Sequence, residues 1–286
     1  MPCEHALDGI RVVTIALNLP GPAACLRLRE MGAGVTKVEP PSGDPMAVYQ
    51  VHFYQRLHEG IAVRGMDLKS PAGRAELEAL LASADLLITA QRPAALDRLG
   101  LGLDSLAARH PRLCVLRITG HAPPRADIAG HDLTYVALHG LLREGALPAT
   151  LFADMAGAER VVSTALALLR TRDRSGHGAH ADVALEDAAA WLAMPLREGL
   201  TAPGAMLGGA HPGYHCYPAQ DGWIAVAALE SHFAQRLAES FGLQELTHAA
   251  LSERFATRPA AHWERWAAEQ DLPIVALRDP PTHPPS

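Results

Sequence analysis

Three residues join acid/base chemistry to placement: His131 and Asp132, adjacent in AGHDLTY, and Asp154 in LFADMAG, beyond a Pro-containing loop. Each precedes an apolar run at helical spacing. Leu133, Val136, Ala137 and Leu141 follow the first pair, and Val161, Val162, Ala165 and Leu168 follow Asp154. The spacing predicts two helix starts, where backbone N–H groups are unpaired and the helix dipole is positive. Titratable groups at two such ends suit an acid/base site around a substrate that develops negative charge. Capping is the competing role, because Asp just before an apolar helix is a favoured N-cap.

The elements that must position these residues alternate between strand and helix. Ile10–Leu17 (IRVVTIAL) is β-branched and long enough for a buried strand, AACLRLREMGA is helical, and Val35–Glu39 is the next strand. Together they form a βαβ unit. Its turn, NLPGPAA, lacks G-x-G-x-x-G and carries two prolines, so nothing indicates a dinucleotide. PPSGDP is a loop, and Ser70 with Pro71 opens a helix. Asp85–Ala90 and Leu113–Gly120 are two more strands, separated by a helical stretch from Leu96 to Arg109. A helix from Met155 to Arg172 and a strand-like HADVAL follow.

The pattern predicts an α/β, Rossmann-like, parallel doubly wound sheet, whose ligands bind at the carboxyl ends of the strands. Gly120 and the loop to His131 fall at such an end. A helix over Leu185–Leu200 and a Gly/Pro-rich segment then lead to a second, smaller α+β domain. That domain holds a strand at Gly222–Ala228 and two amphipathic helices, HFAQRLAESFG and AHWERWAAEQ. The expected division is 1–185 large domain, 186–215 linker helix and loop, 216–279 small domain and 280–286 disordered tail, the last because its prolines prevent regular pairing.

Composition narrows the function classes. Of 286 residues, 49% are hydrophobic and 20% charged, with a net charge of −6, so a nucleic-acid or anionic-membrane partner is not indicated. No apolar run approaches the roughly 20 residues that span a bilayer, and no signal peptide or peroxisomal tripeptide is expected. Cys3, Cys25, Cys114 and Cys216 are scattered without metal-ligand spacing, as in a reducing, cytoplasmic setting. The histidine pairs His177/His180 and His211/His215 lie in Gly/Pro-rich loops with no acidic or Cys ligand nearby, so no metal is expected.

Several stretches, in one order, carry a resemblance. They are LDGIRVVTIALNLPGPAACLRLREMGAGVTKVEPPSGDP, DLKSPAGRAELEALLASADLLITAQRPAALDRLGLG, PRLCVLRITGHAPPRADIAGHDLTYVALHGLL, ADMAGAERVVSTALALLRTRDRSGHGAHADVAL and PGYHCYPAQDGWIAVAALESHF. In these the chain resembles the family of α-methylacyl-CoA racemases and family III CoA-transferases (CaiB/BaiF-like), over about residues 6 to 277. The resemblance implies an acyl-CoA substrate, no cofactor beyond the coenzyme A of that substrate, and an interlocked homodimer. It also implies the family III CoA-transferase-like fold, here C-terminally shortened.

By that resemblance His131 and Asp154 are the two bases flanking the α-carbon. Glu230, from the small domain, tunes His131, and the Asp132 backbone N–H helps hold the thioester oxygen. G-H-D is similar to the racemase form; transferases tend to carry another residue where His131 stands. The family's CoA-facing cations correspond here to Arg92 and Arg98.

Departures from the family pattern are also visible. His58, Glu59, Gly60 and Ile61 stand where a basic N-R-G-K-like stretch supports the CoA phosphates, and Pro40 replaces a basic residue. AGAE (Ala156–Glu159) replaces a glycine run, bringing the Glu159 charge toward the site unless it faces away. The expected activity is racemisation or epimerisation of 2-methylacyl-CoA thioesters. The alternatives are a CoA-transferase with Asp154 as nucleophile and a non-catalytic acyl-CoA-binding homologue.

Overall fold

A computed structural model describes residues 5–280. Cys3 and the last six residues of the expected disordered tail lie outside the described residues. The chain divides between Ala193 and Met194 into two compact units.

The first unit is built on six parallel strands, β1 (Arg11–Thr14), β2 (Gly34–Glu39), β3 (Ala62–Gly65), β4 (Leu86–Thr89), β5 (Cys114–Thr119) and β6 (His180–Ala184). Their order is β3-β2-β1-β4-β5-β6. Val12 of β1 stands beside Val35 of β2, and Val13 beside Leu87 of β4. The sheet therefore reverses direction of growth at β1/β4, and loops leaving those strands on opposite faces open a crevice there.

Helices wrap both faces: α1 (Pro20–Glu30), α2 (Met46–Tyr49), α3 (Val51–Leu57), α4 (Pro71–Leu81), α5 (Pro93–Arg98), α6 (Leu103–Arg109), α7 (Asp132–Leu138), α8 (Phe152–Ser175) and α9 (Leu185–Leu192). Alternation along the strands builds two cores. Val12, Leu86, Ile88, Leu116 and Ile118 pack under α1, α7, α8 and α9. Val13, Leu87 and Val115 point the other way, onto Leu77, Leu81, Leu96 and Leu106 of α4, α5 and α6. Strands buried on both faces read as unbroken apolar runs, which is why four of the six are visible in the sequence as β-branched or Leu-rich segments and HADVAL as a fifth.

Some elements differ from expectation. The strand β3 is exposed along its length, at the sheet edge, and carries no apolar run to announce it. The helical stretch from Leu96 to Arg109 is two helices, broken at Gly100, whose φ of +74° lies in the left-handed region that glycine tolerates. The helix expected over Leu185–Leu200 ends at Leu192; a short turn of helix, α10 (Met194–Arg197), follows in the second unit. Pro195 lacks the N–H that would continue it. Ser70 caps α4 as anticipated, accepting the Gly73 N–H at 3.0 Å.

The second unit holds an antiparallel sheet, β7 (Tyr214–Pro218), β8 (Trp223–Ala227) and β9 (Ile274–Ala276), in that order. Helices α11 (Ser231–Phe241), α12 (His248–Phe255) and α13 (Ala260–Glu269) cover it around Tyr217, Phe241, Phe255 and Trp263. The strand β7 straddles the boundary expected between linker (to 215) and small domain (from 216), and α12 and β9 have no counterpart among the expected elements.

Candidate active site

At the carboxyl ends of β1, β4 and β5 the first unit encloses a cavity of ≈ 580 Å³. Its walls come from the loop after β1, the loop after β4, helices α2 and α3, the segment from Thr119 to Tyr135, and the start of α8. His131, Asp132, Asp154 and Arg92 all line it.

Both expected helix starts are present, but the capping roles are not those that spacing suggests. His131, not Asp132, is the N-cap of α7, with extended backbone at φ −143° and ψ 165°. Its N–H donates to Thr134 Oγ at 3.0 Å, and the Thr134 hydroxyl donates back to the His131 carbonyl at 2.7 Å. This fixes the backbone while the imidazole stays exposed at the cavity wall. Helix α8 begins at Phe152, so Asp154 sits inside its first turn. Asp132 is only 4% exposed, and its Oδ1 accepts the Asp154 N–H at 3.0 Å. Asp132 thus satisfies an orphan donor of the other helix, locking the two starts together.

This locking has an electrostatic result. Burial, and then the neighbouring Asp132 carboxylate, push the Asp154 carboxyl up from 3.8 to about 7. Asp154 therefore changes protonation state near neutral pH, as a general acid or base requires. Asp132 Oδ2 is buried with no hydrogen-bond partner among the described residues.

Arg92 is the N-cap residue of α5 and exposed beside the cavity. Its loop is tied to β1 by Gln91, whose amide donates to the Ile15 carbonyl at 2.9 Å and contacts Thr89 Oγ. Arg98, on the last turn of α5, is exposed and does not line the cavity. Glu230 belongs to the second unit, as the exposed N-cap residue of α11. Glu159 is exposed, forms an ion pair with Arg27 at 3.5 Å, and does not line the cavity.

The altered stretch at 58–61 has an unexpected fate. Glu59 and Gly60 are exposed, whereas His58 and Ile61 turn inward. His58 joins a buried cluster around Lys37, whose ammonium donates to Asp44 at 2.5 Å, Glu39 at 3.0 Å and His58 Nε2 at 2.8 Å. The His58 Nδ1–H donates to the Tyr54 carbonyl at 2.6 Å, so the ring is neutral, and burial lowers its proton affinity. Glu39, Asp44 and His58 are close enough to ligate a metal. The Lys37 ammonium already occupies the point they share and balances their charge, so the donor set fits an internal cation better than a metal.

Asp44 also accepts the N–H of Asn18 at 3.1 Å and of Met46 at 3.0 Å. The cluster thereby anchors two cavity walls, the loop after β1 and the start of α2. Asn18 was legible only as a turn residue; its φ of +63° explains an Asn there. Met46, Tyr49 and Phe53, which line the cavity from α2 and α3, had no sequence signal beyond being apolar.

A Rossmann-ordered sheet with acid/base groups in a cavity at its carboxyl ends defines an α/β protein with a candidate substrate site there. The model of CoA-transferase family III matches residues 7–282, and the chain belongs to that family. It is 32% identical to the α-methylacyl-CoA racemase of Homo sapiens over 84% of this chain, and spans 65% of that protein's length. It is likewise 32% identical to a succinate–glutarate CoA-transferase of Agrobacterium fabrum, over 89% of this chain and 70% of the relative. The crystal structure of a CAIB/BAIF family protein from Brucella suis has the same fold, with a TM-score of 0.82 and 26% identity over 96% of this chain and 85% of that one. Relatives thus include both isomerases and transferases.

Proposed function

We propose that the protein is a racemase or epimerase of 2-methylacyl-CoA thioesters. The observation that carries this reading is the pair His131 and Asp154, lining one cavity from two different segments, with Asp154 held at about 7. Inverting a stereocentre needs one group to take the α-proton and another to return one from the opposite face. The C–H bond breaks, its electron pair moves into the carbon–carbon bond of the enolate, and the thioester oxygen takes the negative charge. Among the described residues the Asp132 N–H has no backbone partner, which suits it to that oxygen. Arg92, which lines the cavity, would meet a CoA phosphate, where a guanidinium is the better ligand. Glu230 would assist His131, and the working state would be a cytoplasmic homodimer.

The test is incubation with (S)-2-methylacyl-CoA in D₂O, following deuterium at C2 by NMR. Exchange with loss of chirality is expected, abolished in Asp154→Asn and in His131→Ala. No exchange over a long incubation would sink the assignment.

A second reading rests on the similarity to transferases: the Asp154 carboxylate attacks the thioester, displaces CoA and forms an acyl-enzyme anhydride. Hydroxylamine trapping of an acyl group on Asp154, with no C2 exchange, would favour this reading.

A further inference from the structure

Tyr135 is a buried phenol at the cavity that neither the acid/base pair nor the CoA-facing cation accounts for. It stands three residues after Asp132 on the same face of α7, and helical side chains lean toward the N-terminus. Its ring is 2% exposed, and its hydroxyl runs between Gly120 and Gly130, all three lining the cavity. A methyl group added at Gly120 would overlap the hydroxyl, and one at Gly130 would lie 2.7 Å from it. Both glycines leave the phenol its path. His121 meets the ring edge-on, with centroids 5.3 Å apart and planes at 87°. His121 is itself held by Glu186 at 2.5 Å, and Glu186 by Arg125 at 2.8 Å. The phenol is therefore fixed in place.

Yet no described residue hydrogen-bonds its hydroxyl, whereas the other buried phenol, Tyr217, donates to the Pro212 carbonyl at 2.7 Å. The hydroxyl is thus left open to a ligand in the cavity that the residue lines. Burial and the negative charges of Asp154 and Glu186 push the phenol up to about 12, so it keeps its proton and can only donate well. Asp154 lines the same cavity, and a substrate whose α-carbon meets Asp154 carries its thioester oxygen on the adjacent carbon.

We propose that Tyr135 is a catalytic residue whose hydroxyl donates a hydrogen bond to the thioester oxygen and strengthens it as the enolate forms. This rests on the acyl-CoA reading above. No covalent bond to the enzyme is made: the phenol keeps its proton while the α-proton passes to the base.

The test is Tyr135→Phe in the D₂O exchange assay beside wild type, with urea melts of both. The expected result is a fall in kcat of about 10²-fold, as for loss of one oxyanion donor, with KM and stability little changed. Replacing Tyr135 by a fluorotyrosine, a more acidic phenol, should move the alkaline limb of the kcat profile to lower pH. Unchanged kcat in Tyr135→Phe, or a kcat loss matched by lost stability, would overturn the proposal while leaving the racemase reading intact. Wild type without exchange would overturn the racemase reading first, and this proposal with it.

Discussion

Asp154→Asn replaces a carboxyl that must ionise in a partly buried place by a neutral group of the same shape. In the unfolded chain the carboxyl titrates at 3.8, and in the folded protein at about 7. Between those values the folded state holds one proton more than the unfolded state. Stability contributed by Asp154 is therefore complete below 3.8 and is lost as pH rises through 7. At 1.36 kcal/mol per tenfold change in proton affinity, the full shift corresponds to roughly 4 kcal/mol. The side chain is partly exposed, so solvent screening reduces this to about 2–3 kcal/mol.

The variant lacks this loss. Its stability relative to wild type should climb by about 2 kcal/mol between pH 5 and 7.5 and then level off. Urea unfolding at fixed pH intervals measures the difference directly, and carboxyl ¹³C NMR of Asp154 supplies the titration itself. Parallel stability profiles for the two proteins, or an Asp154 carboxyl titrating near 4, would refute the account of this site. Asp132→Asn, which removes the neighbouring charge and keeps an acceptor for the Asp154 N–H, should lower the Asp154 titration only part of the way, because burial is the larger cause.

Other outcomes follow from the same geometry. Lys37→Met leaves Glu39 and Asp44 buried without their cation and should cost about 3–5 kcal/mol in a thermal or urea melt. His58 is held neutral, so between its lowered folded value and 6.5 the unfolded chain binds more protons. Wild type should lose stability on acidification below pH 6.5, by less than about 1.4 kcal/mol per pH unit, relative to His58→Gln. Arg92→Ala should raise KM for an acyl-CoA about tenfold, equivalent to 1.4 kcal/mol, and leave the KM for the matching pantetheine thioester unchanged. Glu159→Gln, on a solvated ion pair turned from the cavity, should change neither melt nor exchange measurably.

Local patterning was enough to place the site-bearing elements. Strands β1, β2, β4 and β5 are buried on both faces, so packing demands continuous apolar residues that the sequence displays openly. The same holds for the start of α4, where Ser70 and Pro71 act on their immediate neighbours. Edge strand β3 was illegible because an exposed strand obeys no such demand. The short helices α2 and α3 were illegible because their burial is incomplete and their neighbours distant in sequence.

His131, Asp132 and Asp154 could be named from residue type and position, and family resemblance supplied Arg92, Arg98 and Glu230. Their electrostatic states could not be read that way. Only the crossing of two helix starts, 22 residues apart, lets Asp132 bind the Asp154 N–H and add to the burial that raises its carboxyl to about 7. Only folding turns His58 inward onto Lys37, converting an apparent loss of a surface cation into part of a buried charge cluster. The sequence determined which groups are available, because side-chain chemistry and helix spacing are local. Tertiary structure decided which were desolvated and which charges face each other, because both depend on distances that no local pattern encodes.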